Sequence, residues 1–435
     1  MRTIAGTIIA LMCLYFGWRA FQLLQKARSE EKLVSELVKG LKHNEKDIRR
    51  SAAANLAKLR PIPSEVLPAL IEATKDDDQK VRYFVTLCMS RVEHGSFSAL
   101  MKELSNEDPR VRSAVAESLG LMVPAPKEAV STLLEGLKDK DSAVRAKAAF
   151  ALGRCKDDKA LGPLVDLLKS EKNGDARWST IVALGQFGPK GKVAIPLLAQ
   201  IVKDPASYQR RVPISDLMSD QTIANTAARS LGQIGPDSAI PLALVFNDPN
   251  CGSMSRLTAA WGLEQMGPNA SPAVQTLIFL LHDHDIEVRQ RAIRTLGKIG
   301  VGAKEAKQSL IICLDDLAPS ARIGAAVALY QIDPMNEYTV IALIKGLKNN
   351  EPSMRFFAAQ ELEILGPKAH AAVGHLADAL GDQDPEVRRM VARALERIGP
   401  PARAALPSLQ KALKDQNQGV RESAAKAIKK IREDK

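Results

Sequence analysis

The chain has 435 residues, which excludes one simple compact core and favours either several domains or a repeat array. Its aromatic content of 4% and its many alanines and leucines favour closely packed helices over a β-rich fold. The net charge of +11 is modest for this length and is weak support for an anionic partner. The five cysteines lie far apart, without the spacing of a zinc site or a disulfide framework, so they are expected to be reduced and structural.

The first predicted element is an N-terminal membrane anchor, or uncleaved signal, in residues 1–28. If Arg19 snorkels, residues 3–24 form an apolar stretch of about the twenty residues that a bilayer span requires. A cleaved signal peptide and a buried helix are the alternatives, although no small-residue cleavage site follows the apolar run. We therefore expect a single-pass membrane protein, and the basic residues after the span favour a cytoplasmic location for the rest of the chain.

A motif repeated twelve times fills residues 29–435. In each copy an apolar or small residue (position 0) usually precedes an arginine, and positions +4, +8 and +11 are nearly always apolar, so these positions form one stripe of an α-helix. A second apolar helix precedes each copy, an Asp- or Asn-rich turn joins the two helices, and Gly-Pro often follows the pair. Position 0 falls at Ile48, Val81, Val111, Val144, Ala176, Ile223, Ser255, Val288, Ala321, Met354, Val387 and Val420. This period predicts a solenoid whose units bury their apolar faces by stacking.

The step from Ala176 to Ile223 is 47 residues, whereas the other steps are 30 to 33. The extra residues correspond to an insertion at 204–221, between the two helices of the sixth unit. Insertions into repeats form loops that often contact partners. The residues of this loop that we expect to make contacts are Tyr208, Arg210, Arg211 and Ile214.

An arginine follows position 0 in eleven of the twelve units, and Ala224 is the exception. A row of stacked arginines is a candidate phosphate track. Many units, however, place an acidic residue at position −3, for example Asp78 and Asp285, where it can cap the helix and pair with an arginine of its own or the adjacent unit. We therefore predict a structural ladder of ion pairs.

The sequence contains no motif that supports catalysis, so we expect a non-enzymatic protein without a catalytic residue, a cofactor or a metal site. The stretch HDHD at 282–285 has metal-ligand residue types, but it fills the inter-helix position that reads DQD at 382–384, and a turn is preferred. The P-loop, the G-x-S-x-G elbow and the G-x-G-x-x-G loop are absent from the sequence.

The repeated signature, D-x-x-V-R-x-x-A-A-x-A-L-G-x-I-G, resembles HEAT repeats, in particular the short bacterial variety also found in phycobilisome lyase-like proteins. The resemblance covers residues 29–435. It implies an all-α fold, a right-handed α-solenoid of about twelve helix pairs, here preceded by the transmembrane helix. HEAT-like hydroxylases of the deoxyhypusine type carry His-Glu pairs that bind iron, and this chain has no His-Glu dipeptide. A bilin lyase-like activity is implied by the family alone, and the anchor and the large repeat number argue against it.

In HEAT arrays the second helix of each pair lines the concave side, as the resemblance implies. Positions +2 and +6 of that helix point away from the core stripe and should be polar if this side only faced solvent. They are instead apolar along much of the array and basic towards its end, and exposed aromatic clusters commonly mark interfaces. The predicted partner-binding residues are Tyr83, Leu87, Phe150, Trp178, Val182, Leu257, Trp261, Ile323, Val327, Phe356, Arg294, Arg389 and Arg393. Burial between neighbouring second helices is the alternative explanation.

These features predict a membrane-anchored, non-enzymatic scaffold that binds a protein or peptide with apolar and acidic segments in its concave face. An anion- or nucleic-acid-binding solenoid is the alternative. Its support is that residues 367–435 carry fourteen Lys or Arg and nine Asp or Glu, a net charge of +5. Nucleic acid is the less expected partner.

Overall fold

The computed structural model describes residues 31–92, 96–209, 222–334 and 338–433. These residues form α-helices joined by turns and short 3-10 segments. Contacts between Cα atoms divide the described residues into two compact units, one that ends at Phe187 and one that begins at Gly188. Each unit is a row of helix pairs, which confirms the predicted all-α solenoid of repeats.

The first unit contains ten helices among its described residues. They are α1 (31–40), α2 (Lys46–Leu56), α3 (Leu67–Ala73), α4 (Gln79–Met89), α5 (Phe97–Lys102), α6 (Pro109–Leu121), α7 (Val130–Gly136), α8 (Ser142–Cys155), α9 (Leu161–Ser170) and α10 (Gly174–Gln186). The second helices of successive pairs pack side by side, so that α8 lies between α6 and α10.

The second unit contains the remaining described helices. They are α11 (Ile195–Lys203), α12 (Ala206–Gln209), α13 (Ile223–Ile234), α14 (Ala239–Asn247), α15 (Ser253–Met266), α16 (Val274–Leu280), α17 (Ile286–Ile299), α18 (Lys307–Ile312), α19 (Pro319–Ile332), α20 (Tyr338–Gly346), α21 (Pro352–Leu365), α22 (Val373–Ala379), α23 (Pro385–Ile398), α24 (Leu406–Ala412) and α25 (Gln418–Arg432). The same packing places α19 between α17 and α21, and α23 between α21 and α25.

Helix α17 shows why these residues form the second helix of a pair. The Asp285 side chain accepts a hydrogen bond from the backbone N–H of Glu287 and so caps the first turn. The helix ends before Gly300, whose φ of 67° is a conformation that glycine adopts without strain. Between the two ends, the predicted stripe, including Val288 and Leu296, is buried.

The glycines of the Gly-Pro pairs take the positive φ that the sequence predicts. This holds for Gly188, Gly235, Gly267, Gly366 and Gly399. The proline that follows cannot continue the helix, so the chain turns into the first helix of the next pair.

The prediction of an added transmembrane helix, and with it of a single-pass membrane protein, is wrong. Within the described ranges no helix is long and apolar enough to cross a membrane. The longest helix with described bounds, α25, has 15 residues, whereas a span needs about twenty predominantly apolar ones. Residues 3–24, on which the prediction rests, lie outside the described ranges. The fold class is therefore corrected to an all-α solenoid.

Candidate partner-binding surfaces

The arginines at position +1 form the predicted ladder, and Arg112 shows its geometry. Its Nε and Nη2 donate to the two carboxylate oxygens of Asp139 in the next pair, at 2.7 and 2.8 Å. Its Nη1 donates to the carbonyl oxygens of Asn106 and Glu107, at 2.7 and 2.9 Å. Arg112 therefore ties the turn of its own pair to the turn of the next pair.

The same two-point contact recurs along the array. It joins Arg49 to Asp76, Arg145 to Glu171, Arg289 to Asp316, Arg355 to Asp382 and Arg388 to Asp415, while Arg256 contacts Asp283 through Nη2. Planar guanidinium and carboxylate groups match in this arrangement, and such bidentate pairs are among the stronger hydrogen-bonded contacts. The ladder is therefore structural, as predicted.

The acid that pairs with the ladder arginine is at position −5 of the next pair, not at −3. The acids at −3 act as helix caps instead, at Asp78, Asp108, Asp141, Asp285 and Asp384. Burial alone would raise the pKa of Asp139, but the hydrogen bonds from Arg112 and from the backbone N–H of Asp141 hold it below its ordinary value.

The HDHD stretch at 282–285 is a turn of this ladder, as predicted. Asp283 accepts the contact from Arg256, and Asp285 caps α17. His282 and His284 are exposed. Both carboxylates thus already have a structural role.

In the first unit, the predicted partner-binding residues lie on α4, α8 and α10. Tyr83 is 63% exposed, whereas Leu87, Phe150, Trp178 and Val182 are half-buried. The Phe150 ring packs closely against Gly120 of α6, where an added Cβ would lie only 2.7 Å from the ring. The Trp178 indole Nε1 is buried, and the described residues offer it no hydrogen-bond acceptor. Neighbouring second helices therefore cover part of these side chains, as the alternative explanation expects, but not all of their surface.

In the second unit, the apolar residues predicted to bind a partner are also half-buried. They are Leu257 and Trp261 on α15, Ile323 and Val327 on α19, and Phe356 on α21. The Arg229 guanidinium carbon lies 5.9 Å from the centroid of the Trp261 ring, which is within the range of a cation–π contact. The Phe356 and Phe357 rings meet edge to face with their centroids 5.9 Å apart.

The three predicted basic residues of this unit differ in their partners. Arg393 donates to Glu363 at 2.8 Å, and Arg389 donates to Glu386 at 3.0 Å. Arg294 is exposed, and the described part of the chain gives it no acidic partner. Arg294 is therefore the basic residue of this set that is free to meet an acidic group of a partner.

Three of the predicted residues come together around one cavity of about 290 Å³. Arg294, Ile323 and Val327 line this cavity, which we name the α19 pocket. The sequence interpretation missed other residues of its wall, notably Phe357 at position +3 and Glu361 at position +7 of the next unit. The signal for Glu361 was an acidic residue at position +7, where ten of the other eleven units have a small residue.

Sequence reasoning also missed a set of exposed apolar side chains on the first helices of the second unit. They are Ile240, Leu244, Phe279, Ile312 and Ile341. Their signal in the sequence is an apolar residue outside the core stripe of a first helix, whereas the predicted surface comprises second helices only.

Of the predicted contact residues in the insertion, Tyr208 lies on α12 and is half-buried, and its hydroxyl donates to the Val202 carbonyl at 2.6 Å. Arg210, Arg211 and Ile214 lie outside the described residues. Their role in partner contact stays a prediction.

The cysteines of the described ranges are free thiols within the helical core: Cys88, Cys155, Cys251 and Cys313. Burial raises the pKa of Cys88 to about 12 and those of Cys155 and Cys313 to about 11. Because the thiolate is the reactive form, these thiols are suited to packing rather than to chemistry.

Comparison with known proteins shows where this fold recurs. The family model described as HEAT repeats matches residues 31–120, 67–142, 97–184, 130–217, 242–330 and 373–435, together well over half of the chain. A HEAT repeat-containing taxis protein of Halobacterium salinarum is 30% identical over 159 residues, which cover 32% of this chain and 39% of that protein.

Among solved structures, Kap121p is similar with a TM-score of 0.67 at 13% identity, over 93% of this chain and 50% of Kap121p. The karyopherin Kap121p bound to the extreme C-terminus of the protein phosphatase Cdc14p gives a TM-score of 0.65 at 14% identity, over 92% of this chain and 50% of that chain. This chain thus spans half or less of the length of these relatives, and the structural likeness at this identity shows the fold alone.

Proposed function

This chain belongs to the HEAT-repeat family, and we propose that it is a non-enzymatic scaffold that binds a protein or peptide on positions +2 and +6 of its second helices. The solved structures of similar fold include Kap121p bound to Nup53p and Kap121p bound to the extreme C-terminus of Cdc14p. A fold of this kind thus accommodates protein segments, which supports the same class of role here.

The observation that carries the proposal is the incomplete burial of the predicted residues. Position 0 is buried in ten of the twelve units, with Ile48 and Met354 as the exceptions. By contrast, each of the thirteen residues predicted at positions +2 and +6 keeps part of its side chain exposed. Covering half-exposed aromatic and aliphatic groups removes apolar surface from water, which favours association.

The chemistry of the expected partner follows from the charges beside these apolar groups. Arg294 and Lys298 are exposed and lie next to Ile323 and Val327 at the α19 pocket. An acidic residue of a bound segment would meet these cations while its apolar neighbours cover the aliphatic side chains. We therefore propose a partner segment that carries both apolar and acidic residues.

The ladder argues against the alternative of an anion- or nucleic-acid-binding array. Seven of the eleven position +1 arginines form ion pairs with an acid of the next pair. Their guanidinium groups are thus neutralised within the protein and do not form a row of free cations for phosphates.

The test begins with peptides selected from a random displayed library on the immobilised full chain. Selected peptides should combine large apolar residues with Asp or Glu, and their affinities are then measured by fluorescence anisotropy. Tyr83→Ala and Trp261→Ala are studied separately. Each should lower the affinity of the peptides that bind at the substituted residue by about thirtyfold, the loss typical of an interface hot spot.

Phe279→Ala is the matched control, because Phe279 is an aromatic residue on a first helix with 69% of its surface exposed. It should leave the affinities unchanged, and circular dichroism should show the same melting for all folded variants. Equal losses from Phe279→Ala and Trp261→Ala would contradict the proposed surface. Binding of oligonucleotides with a steep dependence on salt would favour the anion-binding alternative instead.

A further inference from the structure

The α19 pocket is formed by three neighbouring second helices of the second unit. Its floor is α19, where Gly324 and Ala328 have little or no side chain. Ile293 on α17 and Phe357 on α21 contribute apolar walls. Gly324 has no side chain to fill the space between these walls.

Glu361, on the α21 side of the pocket, is an exception to the repeat. It occupies position +7, which is a small, buried residue in ten of the other eleven units, for example Ala328 and Ala394. A small residue at this position allows neighbouring second helices to approach each other. A glutamate cannot be accommodated in the same space, so its carboxyl group lies at the pocket instead.

The Glu361 carboxylate has no hydrogen bond and no ion pair with any described residue. Arg294 and Lys298 line the same pocket from α17, but neither forms an ion pair with it. Burial raises the pKa of Glu361. Since partial desolvation of a carboxylate without a partner costs free energy, a cation that enters the pocket and contacts it would recover part of that cost.

We propose that the α19 pocket binds a lysine or arginine side chain of the partner segment, with the cation at Glu361. This inference rests on the proposed function and adds a subsite to it. The alkyl part of the side chain packs over Gly324 and Ala328, against Ile293 and Phe357. The volume of about 290 Å³ accommodates one such side chain.

The two sides of the pocket then select a pattern of charge along the segment. A basic side chain enters towards Glu361 on α21, and an acidic residue near it in the segment meets Arg294 and Lys298 on α17. A segment with only acidic residues would leave the Glu361 carboxylate without a partner. A segment with only basic residues would be repelled by Arg294 and Lys298.

The test uses small probes and the full chain, with 13C-labelled isoleucine and methionine methyl groups followed by NMR. The methyl groups of Ile293, Ile323 and Met354 report on the pocket. Butylammonium reproduces the lysine side chain, pentanoate has the opposite charge, and pentan-1-ol has none. Butylammonium should shift these methyl signals at lower concentration than either of the other probes.

Glu361→Gln should raise the butylammonium dissociation constant by at least about tenfold, because it removes the charge-assisted contact and keeps the size of the side chain. Glu351→Gln is the matched control. It removes the same charge immediately before α21, at an exposed residue outside the pocket. This control should bind butylammonium as the unmodified protein does.

Three outcomes would overturn the inference: tighter binding of pentanoate than of butylammonium, unchanged butylammonium affinity in Glu361→Gln, and the absence of shifts with every probe. The small probes need no partner, so this result is independent of the peptide selection. If the selection fails while butylammonium still binds through Glu361, only the proposed function is refuted.

Discussion

The same position of the ladder is an aspartate in one unit and an asparagine in another. Each can therefore be mutated to the other to measure what the carboxylate contributes. Asp382 accepts hydrogen bonds from Arg355 at 2.6 and 2.8 Å and from the backbone N–H of Asp384 at 2.9 Å. The equivalent position beside Arg322 is Asn349. Its Oδ1 accepts the backbone N–H of the residue two positions later at 2.9 Å, so an amide fits this turn.

The expected loss for Asp382→Asn follows from these contacts. The amide oxygen retains the bond from the backbone N–H, but the charge that pairs with Arg355 is lost. Side chains of this pair are only 14% and 8% exposed, and breaking a buried pair typically costs about 3–5 kcal/mol. Because Arg355 keeps its two contacts with carbonyl oxygens at 2.9 and 3.0 Å, we expect a loss nearer about 2 kcal/mol.

The reverse substitution, Asn349→Asp, should stabilise the protein by about 1 kcal/mol, because it supplies Arg322 with the carboxylate that other ladder arginines have. The measurement is urea unfolding of the full chain, followed by circular dichroism. Asp378→Asn is the control, because it removes the same charge at a nearby exposed residue. A loss of stability with Asn349→Asp, or equal effects of Asp382→Asn and Asp378→Asn, would refute the ladder as a source of stability.

The effect of Asp382→Asn should also depend on pH. Burial alone would raise the pKa of Asp382, but the bonds from Arg355 and Asp384 lower it below its ordinary value. A lowered pKa contributes stability that is present above the unfolded-state pKa, about 4, and is lost as the pH falls through the folded-state pKa. The difference between the unmodified protein and Asp382→Asn should therefore shrink in acid.

The other predictions concern the core, the α19 pocket and the thiols. Leu296→Ala should lower the free energy of unfolding by about 2–5 kcal/mol in urea, because Leu296 is fully buried and its neighbours cannot fill the space. Glu361→Ala should raise the melting temperature, because it replaces a partly desolvated carboxylate with the small residue usual at position +7. Cys88, Cys155 and Cys313 should react with a thiol reagent only after unfolding, as absorbance of the released product would show.

Each of these outcomes has a contrary result. Leu317 is 95% exposed, and Leu317→Ala should change stability little. A Leu296→Ala variant as stable as Leu317→Ala would mean that the core stripe is assigned wrongly. A less stable Glu361→Ala protein would show that the carboxylate stabilises the fold. Rapid modification of the folded protein would show that the thiols are accessible.

The helix pairs and their core were predictable because each depends on local pattern. A 33-residue period and apolar positions 0, +4, +8 and +11 determine which helix face is buried, as Val288 and Leu296 show. The pairing acid of the ladder was not identified, because the reach of an arginine into the next turn depends on how two pairs stack. The sequence did contain the second acid, since Asp283 lies two residues before the capping Asp285.

The candidate surface was predictable only in part. A helical wheel places position +6 opposite the core stripe, but it does not include the neighbouring helix. Helix α6, at Gly120, covers part of Phe150. It also does not show that Arg393 is paired with Glu363 while Arg294 has no acidic partner among the described residues. These differences depend on contacts between units, which a single-helix pattern cannot express.

The departures from the repeat are more informative about function than the repeat itself. Asn349 replaces a ladder acid and leaves one arginine without its usual carboxylate, yet the turn retains its geometry. Glu361 replaces a small residue and places a carboxyl group in a pocket where no described residue pairs with it. The other units show that the fold accommodates a small side chain at position +7, so packing does not require this glutamate. A group that the fold does not require, and whose burial costs free energy, is best explained by a ligand that supplies the missing charge.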